Sequence, residues 1–308
     1  MSKRIKFLAI GDLATDAFIK IKDAEVKCDL HGENCKLCLN FGDKIPYESV
    51  QVCSATGNAS NIAVAVKRLG LDSSLVSYTG GDNIGIDNLK YLKRQKVNVS
   101  NVKIIKNLQS NYHYIIWYKA ERTILTKHTE FPYSFPKNFK NIDFLYLTSL
   151  AENSLGYHDE IVGYLKSNPN TFLIFQPGTF QIKFGYERLK DIYQRSNIFL
   201  CNHEESKRIL QKEEENNIPD LLKGVYSLGP KIVVITDGIN GAYAYDGKDT
   251  WFVEAYPHTP LESTGAGDAF SGAFTTALIL NKKIDEALVW GSVNAMSVTS
   301  QVGPQKGL

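Results

Sequence analysis

Short apolar runs alternate with amphipathic stretches along nearly the whole chain. The runs over 5–11, 73–79, 143–150, 171–176, 197–202 and 231–237 are almost continuously β-branched, aliphatic or aromatic. That is the pattern of strands buried on both faces. Between them apolar residues recur at helical spacing: Ile62, Ala65, Val66 and Leu69 share one face, and Gly70 supplies the stop. Similar periodicity marks 83–95, 155–167, 186–195, 267–280 and 284–300. Strand–helix alternation of this kind predicts an α/β fold whose mostly parallel sheet is covered on both sides. Two stretches break the rhythm. Residues 17–56 carry no long helical pattern, and 100–130 are rich in β-formers, among them Tyr112, Tyr114, Ile115, Ile116, Trp117 and Tyr118. They read as strands that leave the main sheet and form a small β-lid over its carboxyl edge, or else as two edge hairpins.

A chain of 308 residues can hold one large α/β domain with a sizeable core, so 1–308 is taken as a single domain. Composition changes this picture little. Apolar residues make up 43% and charged residues 22%, which is ordinary usage. A net charge of +2 with scattered lysines and arginines leaves no footprint for nucleic acid. No apolar run approaches the roughly 20 residues that cross a bilayer. The apolar part of MSKRIKFLAIGD is too short for a signal peptide and reads as a first strand, so the expected compartment is the cytoplasm. Five cysteines, an odd number, argue against a secreted disulfide framework. Cys28, His31, Cys35 and Cys38 fall within eleven residues, as a structural zinc site or as a loop of reduced thiols.

The strongest chemical signal is the segment 263–274. Gly265 and Gly267 flank Ala266, and a helical pattern follows at once through Phe270, Ala273, Phe274, Ala277 and Leu278. Small residues at a helix start let unpaired N–H groups face a ligand, and the positive helix end favours an anion such as phosphate. Asp268 sits in the first turn beside that place. It either compensates the helix dipole or takes a proton from an attacking hydroxyl. A second glycine-containing helix start spans 54–61, where Gly57 permits close approach and Asn58 and Asn61 offer amides to a polyhydroxylated ligand. Plain helix capping by Asn58 or Ser60 is the alternative. Asp12 and Asp16 follow the first strand, where α/β proteins bind ligands. A Walker loop, a GxGxxG turn, a GxSxG elbow and an HExxH helix are all missing from the sequence.

With Thr264-Gly265-Ala266-Gly267-Asp268, Ala55 to Ala63, Asn202-His203-Glu204-Glu205 and Thr236-Asp237-Gly238 in this order, the chain resembles the ribokinase-like, or PfkB, carbohydrate kinases. The resemblance implies a three-layer ribokinase-like sandwich with a β-lid. It implies a kinase that moves the terminal phosphate of ATP to a sugar hydroxyl. Asp268 would be the base, with the amides of Gly265, Ala266 and Gly267 as the anion hole. Asp16, Gly57 and Asn61 would bind the substrate, with Asp12 and Asn58 nearby. Asn202 and Glu205 would organise Mg²⁺ and the ATP phosphates, Glu205 largely through water. Thr236 and Gly238 would line the nucleotide site. A nucleoside acceptor, stacked on the lid aromatics, and a non-catalytic sugar or nucleoside sensor are the other readings. Glu262 stands where the family usually has aspartate, near its monovalent-cation site, which leaves potassium dependence open. Lids in this family can pair between subunits, so a homodimer through the lid stands beside a monomer as the two readings of oligomeric state.

Overall fold

The structure, a computed structural model, describes residues 5–29, 35–119, 121–136, 139 and 142–308. The first half runs β1 (Phe7–Ile10), β2 (Ala14–Ile21), β3 (Glu25–Lys27), β4 (Lys36–Cys38), β5 (Tyr47–Thr56), α1 (Asn58–Arg68), β6 (Ser73–Gly80), α2 (Asn83–Arg94), β7 (Asn98–Ile105), β8 (Asn111–Tyr118) and β9 (Glu121–Leu125). The middle of the chain adds β10 (Phe144–Leu147), α3 (Leu155–Ser167), β11 (Phe172–Phe175), α4 (Thr179–Arg195), β12 (Ile198–Asn202), α5 (His203–Leu210) and α6 (Ile218–Ser227). The last part adds β13 (Ile232–Thr236), β14 (Ala242–Tyr245), β15 (Thr250–Val253), α7 (Ala266–Ile279) and α8 (Ile284–Thr299).

A nine-stranded sheet, in the order β15-β14-β13-β12-β11-β10-β1-β6-β7, forms the middle layer. Its pairings are parallel from β7 to β13, and the two at the β15 edge are antiparallel. Strands β1 and β11 are apolar at every position, and β13 at all but Thr236, because both faces are covered. Alternate residues of one strand serve different layers. Phe7 and Ala9 join Ile62, Phe274 and Leu288 from α1, α7 and α8, whereas Leu8 and Ile10 join Ile161, Ile192 and Leu221 from α3, α4 and α6. Each large aliphatic side chain so buried contributes about 1.5–3 kcal/mol. This is the α/β three-layer sandwich expected, with a smaller mixed sheet, β5-β2-β8-β9, beside it.

Three details depart from the sequence expectation. Residues 100–105, assigned to the lid, lie in β7 and pair with β6, because their apolar positions cover the edge of the large sheet. The lid sheet instead starts at Ala14 and takes up the chain again at Asn111. The antiparallel ribbon β14–β15 and the short helices α5 and α6 were not anticipated. The chain order reverses at β1, which has β10 on one side and β6 on the other. Its carboxyl end is therefore a switch point, where loops diverge and leave a crevice.

Candidate active site

Asp268 is 5% exposed in the first turn of α7, and three amides hold its carboxylate. Asn61 Nδ2 donates to Oδ2 at 2.7 Å, and Asn58 Nδ2 and Gln176 Nε2 donate to Oδ1 at 2.9 and 3.4 Å. The other end of Gln176 accepts from the buried Tyr146 hydroxyl. Burial pushes the Asp268 carboxyl up from the ordinary aspartate range, the three amides oppose this, and the charge of Asp16 adds to it. Asn58 and Asn61 cap nothing: α1 begins at Gly57 with no side-chain cap, and Ser60 Oγ donates back to the carbonyls of Thr56 and Gly57. The two asparagines therefore meet the carboxylate across the interface of α1 and α7.

The segment before α7 is shaped for an anion. Gly265 adopts a left-handed φ of 83° and lies against Pro304, so any side chain there would be strained and would meet the C-terminal segment. A Cβ on Gly267 would meet nothing within 4 Å. That open side faces a cavity of about 220 Å³, lined by Asp268, Gly265, Gly267, Asn202, Glu205 and Arg122 among others. Gly57, at φ 99°, is needed for another reason, since a Cβ would lie 2.7 Å from the carbonyl oxygen of Asp12.

Asn202 and Glu205 form a reciprocal box at the start of α5. Asn202 Oδ1 accepts from the Glu205 N–H at 2.8 Å, and Glu205 Oε2 accepts from the Asn202 N–H at 2.9 Å. Both residues also line the cavity. Burial pushes the Glu205 carboxyl up, the Asn202 N–H and Arg208 oppose that, and Asp268 across the cavity raises it further. Two carboxylates that disfavour each other's charge in one cavity fit a hard, hydrated cation such as Mg²⁺. Thr236 and Gly267 also line a second cavity of about 310 Å³, walled mostly by apolar groups including Ile239, Ala255, Tyr256, Pro257 and Met296, with Gly238 at its edge. The two cavities thus adjoin, an apolar slot leading to a polar end.

On the other side of Asp268 lie Asp12 and Asp16, 6% and 5% exposed. Each faces an imidazole: His113 Nδ1 is 3.2 Å from Asp16 Oδ1, and His128 Nδ1 is 3.5 Å from Asp12 Oδ2. Tyr133 donates to Asp12 Oδ1 at 3.3 Å. Asp12 Oδ2, Asp16 Oδ1, His113 Nε2 and His128 Nδ1 are all buried and have no aligned hydrogen-bond partner among the described residues. Orphaned polar atoms gathered in one place are costly unless a ligand satisfies them.

Sequence reasoning missed His113, His128, Tyr133, Arg122 and the slot residues other than Thr236, Gly238 and the α7 start. Only the alternation of β8 hinted at His113, as the one polar residue between two tyrosines. Gln305 was missed as well: its Nε2 donates to Ala55 O at 2.7 Å and to Asn61 Oδ1 at 2.8 Å, so the C-terminal segment fixes an asparagine that holds Asp268. The cysteine reading needs correction. Cys28 and Cys35 form a disulfide, so neither is a free thiol nor available to zinc, and Cys38 is a free thiol. His31 lies outside the described residues. No group of three or more metal-ligating side chains occurs among the described residues. Among them, too, no helix is long and apolar enough to cross a membrane.

Comparison with known proteins shows the family and the fold. Residues 23–308 match the family model described as "pfkB family carbohydrate kinase". The chain is 26% identical to an ATP-dependent 6-phosphofructokinase of Thermoanaerobacterium thermosaccharolyticum, over 94% of this chain and 86% of that protein. The crystal structure of the Methanocaldococcus jannaschii nucleoside kinase superposes with a TM-score of 0.77 at 20% identity, covering 100% of this chain and 96% of that one. An Arabidopsis thaliana ribokinase complexed with ribose and ATP gives 0.78 at 17% identity, with 98% and 94% covered. The three named proteins take different acceptors.

Proposed function

This chain belongs to the pfkB family of carbohydrate kinases, phosphotransferases acting on an alcohol group, and on that premise we propose that it phosphorylates a hydroxyl of an unphosphorylated sugar from ATP. The acceptor lies over Asp268 between Asp12 and Asp16, and the nucleotide lies along the apolar slot with its phosphates toward Gly265, Ala266 and Gly267. Asp268 accepts the hydroxyl proton as the oxygen bonds to the γ-phosphorus, and the bridging oxygen leaves with ADP. The burial that raises its proton affinity suits it to that task. The helix-terminal amides are aimed where charge develops. Glu205, with Asn202, would hold hydrated Mg²⁺, which supplies charge neutralisation on the phosphates.

One observation carries the choice of a sugar over a nucleoside. His113 faces Asp16, so its neighbours Tyr112 and Tyr114 project from the opposite side of β8, where their rings pack on each other 5.1 Å apart. Tyr118 shares their side by the same alternation, and Trp117, on the inner side, is buried with its indole N–H given to Lys119 O. The aromatics that would have stacked a base are thus turned away or occupied. Carboxylates and imidazoles with unpaired atoms line the acceptor side, and these suit hydroxyls. ADP release measured across a panel of free sugars, sugar phosphates and nucleosides tests this reading. Turnover confined to nucleosides overturns the sugar assignment, and ligand binding with no ADP from any compound makes the protein a sensor. The outward side of the lid sheet presents Val50, Val52, Tyr114 and Leu125, each 47–55% exposed and in adjoining cross-strand rows. We read this face as covered by a second copy of the chain, and sedimentation velocity would show the dimer.

A further inference from the structure

Phosphoryl transfer gathers negative charge where this protein already places two carboxylates. Among the residues lining the two adjoining cavities, Arg122 is the single cation. It comes from β9, in the row of Trp117 and Lys20, on the side of the lid sheet that also carries Asp16 and His113. Its Nη1 donates to Ser263 Oγ, two residues before Gly265, and its Nε stands 3.8 Å from Glu262 Oε1. That contact is incomplete on both sides. Among the described residues Arg122 Nε and Glu262 Oε2 are buried without hydrogen-bond partners, and Glu262 Oε1 is taken by the backbone N–H and hydroxyl of Thr264. A guanidinium has five donors in a rigid fork suited to phosphate oxygens. Here most of that capacity is uncommitted, at the rim of the cavity that holds Asp268.

We infer that Arg122 is a catalytic residue: the lid delivers its guanidinium to the γ-phosphate of the bound nucleotide, opposite the amides of Gly265 and Gly267. Ser263 and Glu262 hold the side chain at the cavity until the phosphate arrives. The inference rests on the kinase reading and deepens it, because it makes the lid part of the phosphoryl-transfer site as well as the acceptor site. It forms and breaks no covalent bond. Its contribution is charge placed against the oxygens that carry it in the transition state.

The test compares wild type with Arg122→Met, Arg122→Ala and Arg122→Lys, the last retaining charge if a neutral side chain impairs folding. With an accepted sugar, Arg122→Met is expected to lose about a hundredfold in kcat with little change in the sugar KM, the scale of removing one charge-stabilising group. Arg122→Lys should keep part of the rate, and added guanidinium at millimolar concentration should restore part of it to Arg122→Ala. A second readout needs no turnover: calorimetry with AMP-PNP and ADP should show wild type preferring the triphosphate analogue and Arg122→Met losing that preference. Wild-type turnover with full activity in Arg122→Met overturns the inference and leaves the kinase reading standing. A slow Arg122→Met that keeps the AMP-PNP preference, with no guanidinium rescue in Arg122→Ala, also overturns it, since the side chain would then only tie the lid down. If wild type releases no ADP with any acceptor yet loses its AMP-PNP preference in Arg122→Met, the contact to phosphate stands and the kinase reading falls.

Discussion

The two sides of Asp268 are built on opposite plans. On the helix side the carboxylate is held from within the chain: three amides meet it, Gln305 Nε2 holds Asn61, and Asn202 and Glu205 complete each other. On the lid side the acids are buried and the imidazoles half-buried, yet four of their buried polar atoms lack an aligned hydrogen-bond partner among the described residues. A group that must present the same geometry to every substrate molecule gains from partners in its own chain, which fix it before the reaction. A group that must tell one substrate from another gains from being left unpaired. The right ligand then removes a desolvation cost that the wrong one leaves in place. Preorganisation and specificity are thus assigned to different elements, the first to α1, α5 and α7, the second to β2, β8 and the segment after β9.

The contrast can be broken first at Asp268 itself. Asp268→Asn should lower kcat by at least about a hundredfold with small change in ATP affinity, in steady-state assays supplemented by nucleotide titration. Near-normal turnover would remove the carboxylate from the chemistry. Next, Asp16→Ala should lower kcat/KM for the sugar by about ten- to a hundredfold, mainly through KM. That is the scale of losing a hydrogen bond to a charged group, about 1.5–3 kcal/mol. A fall in kcat alone would place Asp16 on the preorganised side. His113→Ala should raise KM by about tenfold or less, the worth of a neutral hydrogen bond, and leave kcat near that of wild type. Gln305→Met should show the reverse split, a loss of a few-fold in kcat at unchanged KM, because it loosens Asn61 without touching the acceptor; a KM effect would contradict the division.

The smallest effect is in pH. Asp268 must be ionised to act as base, and burial raises its carboxyl above the ordinary aspartate value of about 3.9. The rate should therefore fall as pH drops through that raised value, and the acidic limb of kcat should lie above the ordinary one. The charge of Asp16 is part of the cause, so Asp16→Asn should move the limb slightly toward lower pH. A limb that does not move would show that the two carboxylates do not sense each other. The sign for stability follows from the same shift. A carboxyl whose folded value is raised stabilises the fold at low pH, and that contribution is lost as pH rises through the raised value.

The layered sheet and the α7 anion site were legible in the sequence because both depend on local order. Strand burial writes itself as continuous apolar runs, and residues 73–79 and 231–237 became β6 and β13 within a residue at each end. A glycine-framed helix start writes itself as adjacent residues, so Gly265, Ala266, Gly267 and Asp268 could be read together. What sequence could not hold was distance across the fold. Asn61 and Asp268 are 207 positions apart, and Gln305 meets Asn61 across 244. No periodicity links such residues; the packing of α1 against α7 and of the C-terminal segment against both brings them together. The same holds for side. A run of tyrosines in β8 announces a strand, but whether Tyr112 or His113 faces the ligand depends on the pairing of β8 with β2, since one step of register turns every side chain over. The sequence by itself determined which residues could do chemistry. Tertiary structure decided which of them meet, which are held, and which are left unpaired for a substrate.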